Sequence, residues 1–350
     1  WCLWDEVPYD TVGAARVSEF LKGWTRAAHL DDATRADGHP RFTWINFFNG
    51  CGGGYACYET YLRKYLSDPD PLRRPDVASI SLYPFTGSTT APGMSNYFYW
   101  MRVMRDVMAD RSWWVISLAS EVAAGTGFSR PDENQFRFMA SAPVAAGAKG
   151  VVWFTYQFDD GYGYPLTGHV GDLEATVRED FLPTCKFQML QPINRWLERV
   201  VGPIVVKSTH LGLFHQSWQP AFGDPYRPQD YVTSTLPAVT NVCPVTGFDS
   251  GAGLDGSTLA VGVWRPDDGS AAAYLLVLNK SLSPKSSVVR LRASYEIAAA
   301  PSVIGYEGGM GWAPLGTGTS FPITLQGGEA RLVRLTTTHV PTLALTSPAG

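Results

Sequence analysis

Trp4-Asp5-Glu6 sets two adjacent carboxylates at the end of an otherwise apolar run that opens the sequence. Acids in such a setting are costly to bury unless they are paired or used. A second carboxylate, Glu121, follows Leu118-Ala119-Ser120 after another apolar run. Two carboxyl groups facing each other across a cleft suit cleavage of a glycosidic bond. One protonates the departing oxygen and the other attacks the sugar or activates water. Asp159 and Asp160, in Gln157-Phe158-Asp159-Asp160-Gly161-Tyr162, read either as ligands for sugar hydroxyls or as a tight Asp-Gly turn. Asn46 reads either as a hydroxyl ligand or as a cap for the loop after it. The six histidines lack ligand spacing, so no metal site is expected. No nucleophile-elbow motif supports Ser-His-Asp chemistry.

These residues need elements to hold them. Residues 1–200 alternate short apolar runs with longer amphipathic stretches. Runs at 1–7, 42–47, 77–83, 113–118 and 151–156 read as strands. The stretches at about 12–30, 58–66, 96–110, 132–148 and 175–200 read as helices. Strands apolar on both faces, each followed by a helix, predict a buried parallel sheet. Either a doubly wound sheet or a (β/α)8 barrel satisfies that pattern. No glycine-rich phosphate turn follows a strand, which removes the main support for nucleotide chemistry. The polar and acidic residues cluster just past the strand ends, where barrel enzymes keep their catalytic groups.

Beyond about Gly202 the texture changes to short apolar or alternating runs, at 258–263, 271–278, 287–291 and 330–335, separated by Gly, Pro, Ser and Asp. Residues 201–257 read as a connecting region and the start of a β-sandwich. Residues 258–340 read as the antiparallel sandwich itself.

Composition narrows the partners. Charged residues are 17%, aromatic residues 13%, and the formal net charge is -4. A low-charge, ring-rich surface suits neutral polar ligands such as carbohydrate, although most rings belong in the core. No Lys/Arg-rich run points to nucleic acid, and no apolar stretch is long enough for a membrane span. No cofactor is implied. Of five cysteines, Cys51 and Cys57 bracket a glycine-bearing loop that disulfide geometry can close. Asn279-Lys280-Ser281 is an N-glycosylation sequon. Together they lean towards an extracellular, oxidising setting.

Trp4-Asp5-Glu6-Val7-Pro8 resembles strand four of the large clan of retaining (β/α)8 glycosidases that includes β-galactosidases and cellulases. That resemblance implies Glu6 as the acid/base. Counting onward makes 113–118 strand seven, which puts Glu121 in the region of the clan's nucleophile. Tyr83, in Ser81-Leu82-Tyr83-Pro84, lies where the clan has a tyrosine ending strand six. Trp153 lies where a strand-eight tryptophan floors the subsite at the cleavage point. Asp5, Asn46, Tyr83, Trp153, Tyr156, Asp159 and Asp160 make up the implied substrate-binding set. Residues 141–156, an alanine- and glycine-rich helix leading into a strand, are similar to that element in bacterial extracellular glycosidase-like proteins with a C-terminal sandwich. Val7 departs from the proline that usually follows the acid/base, and Glu121 stands three residues past its run.

The expected fold is therefore strands four to eight of a TIM-type barrel plus a sandwich. About three further βα units are needed to close the barrel, in a preceding segment or a separate chain. The alternative function is a non-catalytic extracellular structural or carbohydrate-binding protein that keeps the barrel.

Overall fold

A computed structural model of the chain describes residues 2–7, 14–34, 42–47, 55–85, 97–119, 131–154, 185–217, 227–249, 256–301, 312–313 and 318–337. The first half alternates β1 (Cys2–Val7), α1 (Ala14–Thr34), β2 (Trp44–Phe47), α2 (Tyr55–Leu66), β3 (Val77–Ser81), α3 (Tyr97–Val107), β4 (Ser112–Leu118), α4 (Glu133–Ala145) and β5 (Gly150–Phe154). Next come α5 (Cys185–Trp196), a π-helical turn (Leu197–Val201) and α6 (Gly202–Val205). The five strands form one sheet in the order β1-β2-β3-β4-β5. The ladders β1–β2, β2–β3 and β3–β4 are parallel.

The molecule divides into two compact units. The first holds residues 1–83, 96–117 and 148–152, and the second holds the rest. In the first unit the strand residues alternate between two faces. One parity meets the helices: Phe47 packs edge-on to Tyr61 and Tyr65 of α2, at 5.5 and 5.8 Å. Tyr58 of α2 meets Trp100 of α3 at 4.3 Å. The other parity carries Trp44, Asn46, Ser79, Ser81 and Trp114. Gly150 belongs to that face, because a Cβ there would lie 2.7 Å from the Trp114 ring.

The N-terminal ends of β2 and β3 are tied by a polar knot. Asp76 Oδ2 accepts from the Thr43 amide at 2.7 Å and the Thr43 hydroxyl at 2.9 Å, and lies 3.0 Å from His29 Nε2. Partial burial acts to raise the Asp76 pKa. The bonds from Thr43 and His29 outweigh it and hold the carboxyl below its usual value. A depressed carboxylate adds stability above its unfolded pKa, and that stability disappears as pH falls through the folded value. Asp76→Ala is expected to cost about 1–2 kcal/mol at pH 7, discounted for its partial exposure. Thermal melts of the two proteins should draw together as pH falls below the ordinary aspartate range.

The second unit adds two antiparallel sheets. The six-stranded sheet runs β12 (Trp312–Ala313), β11 (Tyr295–Pro301), β14 (Ala330–Thr337), β9 (Ala272–Asn279), β8 (Leu259–Pro266), β6 (Ser208–His215). The three-stranded sheet runs β13 (Ser320–Leu325), β10 (Lys285–Leu291), β7 (Val245–Asp249). A short helix, α7 (Pro237–Thr240), precedes β7. Val261, Leu275, Val277 and Val333 from one sheet share a core with Phe248, Val289, Phe321 and Ile323 from the other. Pairing of β6 with β8 makes Ser208 part of the larger sheet, so ordered strands begin inside 201–257, the stretch read from sequence as a connection and the start of the sandwich.

Helix α4 belongs to this unit. Asp132 caps it, accepting from the Gln135 amide at 2.8 Å, while Gln135 Oε1 accepts in return from the Asp132 amide. Its Ala140, Ala142 and Ala145 are fully buried. At Gly262 of β8 a Cβ would stand 2.3 Å from the Ala145 carbonyl oxygen, so strand and helix backbones touch. Gly328, at φ +69°, makes the same approach to Asn134 and Phe138. His210 Nε2 lies 3.0 Å from the Ala145 oxygen at the helix's C-terminal end.

Lys280, just past β9, is almost wholly buried, and its ammonium donates to the Ser217 carbonyl at 3.1 Å. Burial pushes its pKa down to about 7. Between that value and the ordinary lysine value the unfolded chain binds a proton that the folded chain does not. Stability therefore rises with pH across that window. Melting temperature should climb between pH 7 and pH 9. Lys280→Met is expected to flatten the climb and to stabilise the protein at pH 7 by a few kcal/mol, on the order of the desolvation cost removed.

Candidate functional site

The acids that open the sequence stand on β1, at its C-terminal end. Asp5 and Glu6 lie within the second of two shifts of register against β2: Cys2 pairs with Trp44, Trp4 with Ile45, and Val7 with Phe47. The β2–β3 and β3–β4 ladders, in contrast, run without a shift. Irregular pairing of this kind gathers beside active sites, because it re-aims the side chains of one strand. β1 is described by its backbone. Tyr83 lies two residues past β3, half-buried, also at a C-terminal strand end.

Asn46 belongs to a chain of hydrogen bonds along one face of the sheet. Trp44 Nε1 donates to Ser79 Oγ at 2.8 Å, and Ser79 Oγ donates to Asn46 Oδ1 at 2.7 Å. Asn46 Nδ2 donates onward to Ser81 Oγ at 3.1 Å. At 1% exposure the amide bridges β2 to β3, a use foreseen by neither sequence reading. Ser79 and Ser81 were not singled out from sequence. The signal that could have found them is small polar residues at i and i+2 in a strand whose other residues are apolar.

Trp153 is placed by the opposite parity. Its indole Nε1 donates to Asn194 Oδ1 of α5 at 2.9 Å, and its ring meets Phe136 of α4 edge-on at 5.8 Å. It faces the helices, as Val151 does by alternation, whereas Gly150 and Val152 point the other way. A subsite floor at the strand ends needs the other direction. Trp153 instead lines a groove of about 200 Å³ with Phe187, Leu190, Gln191, Asn194, Arg195 and Glu198.

Glu121, Tyr156, Asp159 and Asp160 lie outside the described residues. Cys57 is disulfide-bonded, and Cys51 lies outside the described residues. Cys243 is a free, buried thiol whose pKa burial lifts to about 12. The sequon at Asn279 is corrected by its surroundings. The side chain is fully buried, and Nδ2 donates to the Ser283 and Gln326 carbonyls at 2.8 and 2.9 Å. A glycan on that nitrogen would break both bonds and has no room inside the sheet edge, so the glycoprotein expectation loses its site. Among the described residues no group of three His, Cys, Asp or Glu is arranged to hold a metal ion. No described helix is long and apolar enough to cross a membrane.

No protein-family model matches the chain, and no curated protein matches it. Solved structures similar to it include a β-galactosidase, an arabinofuranosidase and a xylanase. A family 42 β-galactosidase from G. stearothermophilus shares 9% identity over 91% of this chain and 68% of its own, with a TM-score of 0.46. A family 51 arabinofuranosidase from Xanthomonas axonopodis pv. citri shares 10% over 91% of this chain, with a TM-score of 0.40. A family 30 xylanase from Clostridium acetobutylicum shares 10% over 93% of this chain and 72% of its own, with a TM-score of 0.36. The chain spans 62% of the arabinofuranosidase's length. At such identities no residue role or substrate passes from those proteins to this one.

Proposed function

We propose that the chain supplies strands four to eight of a (β/α)8 glycosidase barrel followed by a β-sandwich. Its substrate is an extracellular poly- or oligosaccharide, cleaved by two carboxylates with retention of configuration. The observation that carries this reading is the position of Asp5 and Glu6. They occupy the C-terminal end of the first described strand of a parallel sheet, within a shift of register between Trp4 and Val7.

In this reading Glu6 protonates the departing glycosidic oxygen while Glu121 attacks the anomeric carbon, giving a glycosyl-enzyme ester. Glu6, now a carboxylate, takes a proton from water as the water opens that ester. Asp5, Tyr83, Tyr156, Asp159 and Asp160 hold sugar hydroxyls and ring faces around the cleaved bond. Three further βα units complete the barrel, on the expectation of about eight in all.

The test is turnover on a panel of polysaccharides and aryl glycosides, with the anomeric form of the first product read by NMR. Retention supports the assignment. Inversion keeps the hydrolase but takes the nucleophile's role from Glu121, because an inverting pair sits about 6.5–9.5 Å apart with water between. Glycan binding without turnover, in protein whose barrel is complete, would sink catalysis and establish the binding-protein alternative.

A further inference from the structure

Helix α1 has two faces that both look built for contact. One is used within its unit: Leu21 is buried, Ser18 Oγ donates to the Lys64 carbonyl of α2 at 2.8 Å, and Lys22 Nζ lies 3.3 Å from Asp68. The opposite face carries Phe20, Gly23, Trp24, Ala27 and Leu30, the i, i+3, i+4, i+7 spacing of a helix–helix seam. Phe20 and Trp24 are 50% and 52% exposed, and Leu30 is 42% exposed. The two rings pack on each other at 4.7 Å. Beside them Gly23 has no atom within 4 Å of its Cβ position, which leaves a notch next to an aromatic ridge. A surface helix ordinarily turns charge to solvent on that side. Among the described residues, α2, α3 and α4 expose no large apolar side chain at all. Those helices follow strands with a neighbour on each side, whereas among the described strands β1 has β2 alone.

The strand order says what fits there. Chain order and spatial order coincide from β1 to β5, so a strand added to the free edge of β1 is the one that comes before it in sequence. Parallel crossovers are right-handed in nearly all cases. The helix between that strand and β1 therefore falls on the same side of the sheet as α1, next to its free face.

We propose that the outer face of α1 is the seat of an amphipathic helix from a βα unit encoded ahead of Trp1, whose strand pairs in parallel with β1. The proposal rests on the barrel reading above and specifies where the missing part docks. The seat takes an apolar ridge that fills the Gly23 notch and covers Phe20 and Trp24.

The experiment compares the 350-residue chain with the same chain extended by the residues encoded ahead of Trp1, each as wild type and as Phe20→Lys/Trp24→Lys. Carbene footprinting reads Phe20 and Trp24, and circular dichroism confirms that each protein is folded. Labelling of both residues should fall about fivefold or more in the extended protein, as for side chains passing from surface to core. The double variant should lower Tm by several degrees there and by less than about 2 °C in the shorter chain. Equal labelling in the two proteins overturns the proposal. So does a homodimer of the shorter chain that the double variant dissolves, which would assign the face to a second copy. Protection of α1 without glycan cleavage removes the glycosidase and leaves the docking. Cleavage with equal labelling does the reverse.

Discussion

Glu6→Gln is expected to lower hydrolysis of a natural saccharide about a thousandfold, yet to leave an aryl glycoside with an acidic phenol as leaving group within about tenfold of wild type in the bond-breaking step. The asymmetry follows from what the proton does. A sugar alkoxide leaves poorly and needs protonation in the transition state, whereas a nitrophenolate leaves unaided. Glu121→Gln should abolish turnover of both substrates, because the attack on the anomeric carbon is needed whatever departs. Pre-steady-state kinetics on the two substrate types separates the roles. Equal losses on both substrates for Glu6→Gln would take the proton donor's role from it. Unchanged turnover in Glu121→Gln would hand the nucleophile to another acid, with Asp159 and Asp160 next in line.

Gly262→Val should be among the most damaging single changes in the second unit. The added Cβ would stand 2.3 Å from the Ala145 oxygen and 2.8 Å from the Ala145 Cα, both backbone atoms of α4. Neither can swing aside as a flexible side chain would, so strand and helix must separate. That opens the layer formed by Ala142 and Ala145, both fully buried. The expected cost is about 3 kcal/mol or more, a fall in Tm on the order of 10 °C. Gly247→Ala is the matched control: its Cβ meets nothing within 4 Å, and its melt should move by less than about 2 °C. A Gly262→Val protein that melts like wild type would show that α4 is not held against β8 in solution.

The alternation of apolar runs and amphipathic stretches was enough to locate all five strands of the parallel sheet and the helices between them, to within a few residues. Hydrophobic periodicity is a local property, and each element buries one face or both whatever lies across from it. The strands β8, β9, β10 and β14 were legible for the same reason, whereas β6, β7, β11 and β13 were not. Those four are short or interrupted by polar residues, and their pairing is what makes them strands. Asp5 and Glu6 stood out because two acids closing an apolar run are conspicuous wherever the strand sits.

What only the tertiary structure decided is direction and reach. Trp153 shares a face with Val151, and that this face of β5 meets α4 and α5 is decided by packing across the layers. Asn46 is held between Ser79 and Ser81 by the register of β2 on β3, a relation between residues more than thirty positions apart. Asn279 reads as a glycan acceptor on its three-residue pattern, yet two carbonyls, one of them 47 residues away, hold its amide inside. Gly262 gives no sign in sequence that a helix backbone lies against it. The sequence alone determined the strongly periodic elements and where acids meet strand ends, since these depend on neighbours along the chain. Which side chains share a face, and which are closed to a ligand, depended on contacts between distant segments that only the fold creates.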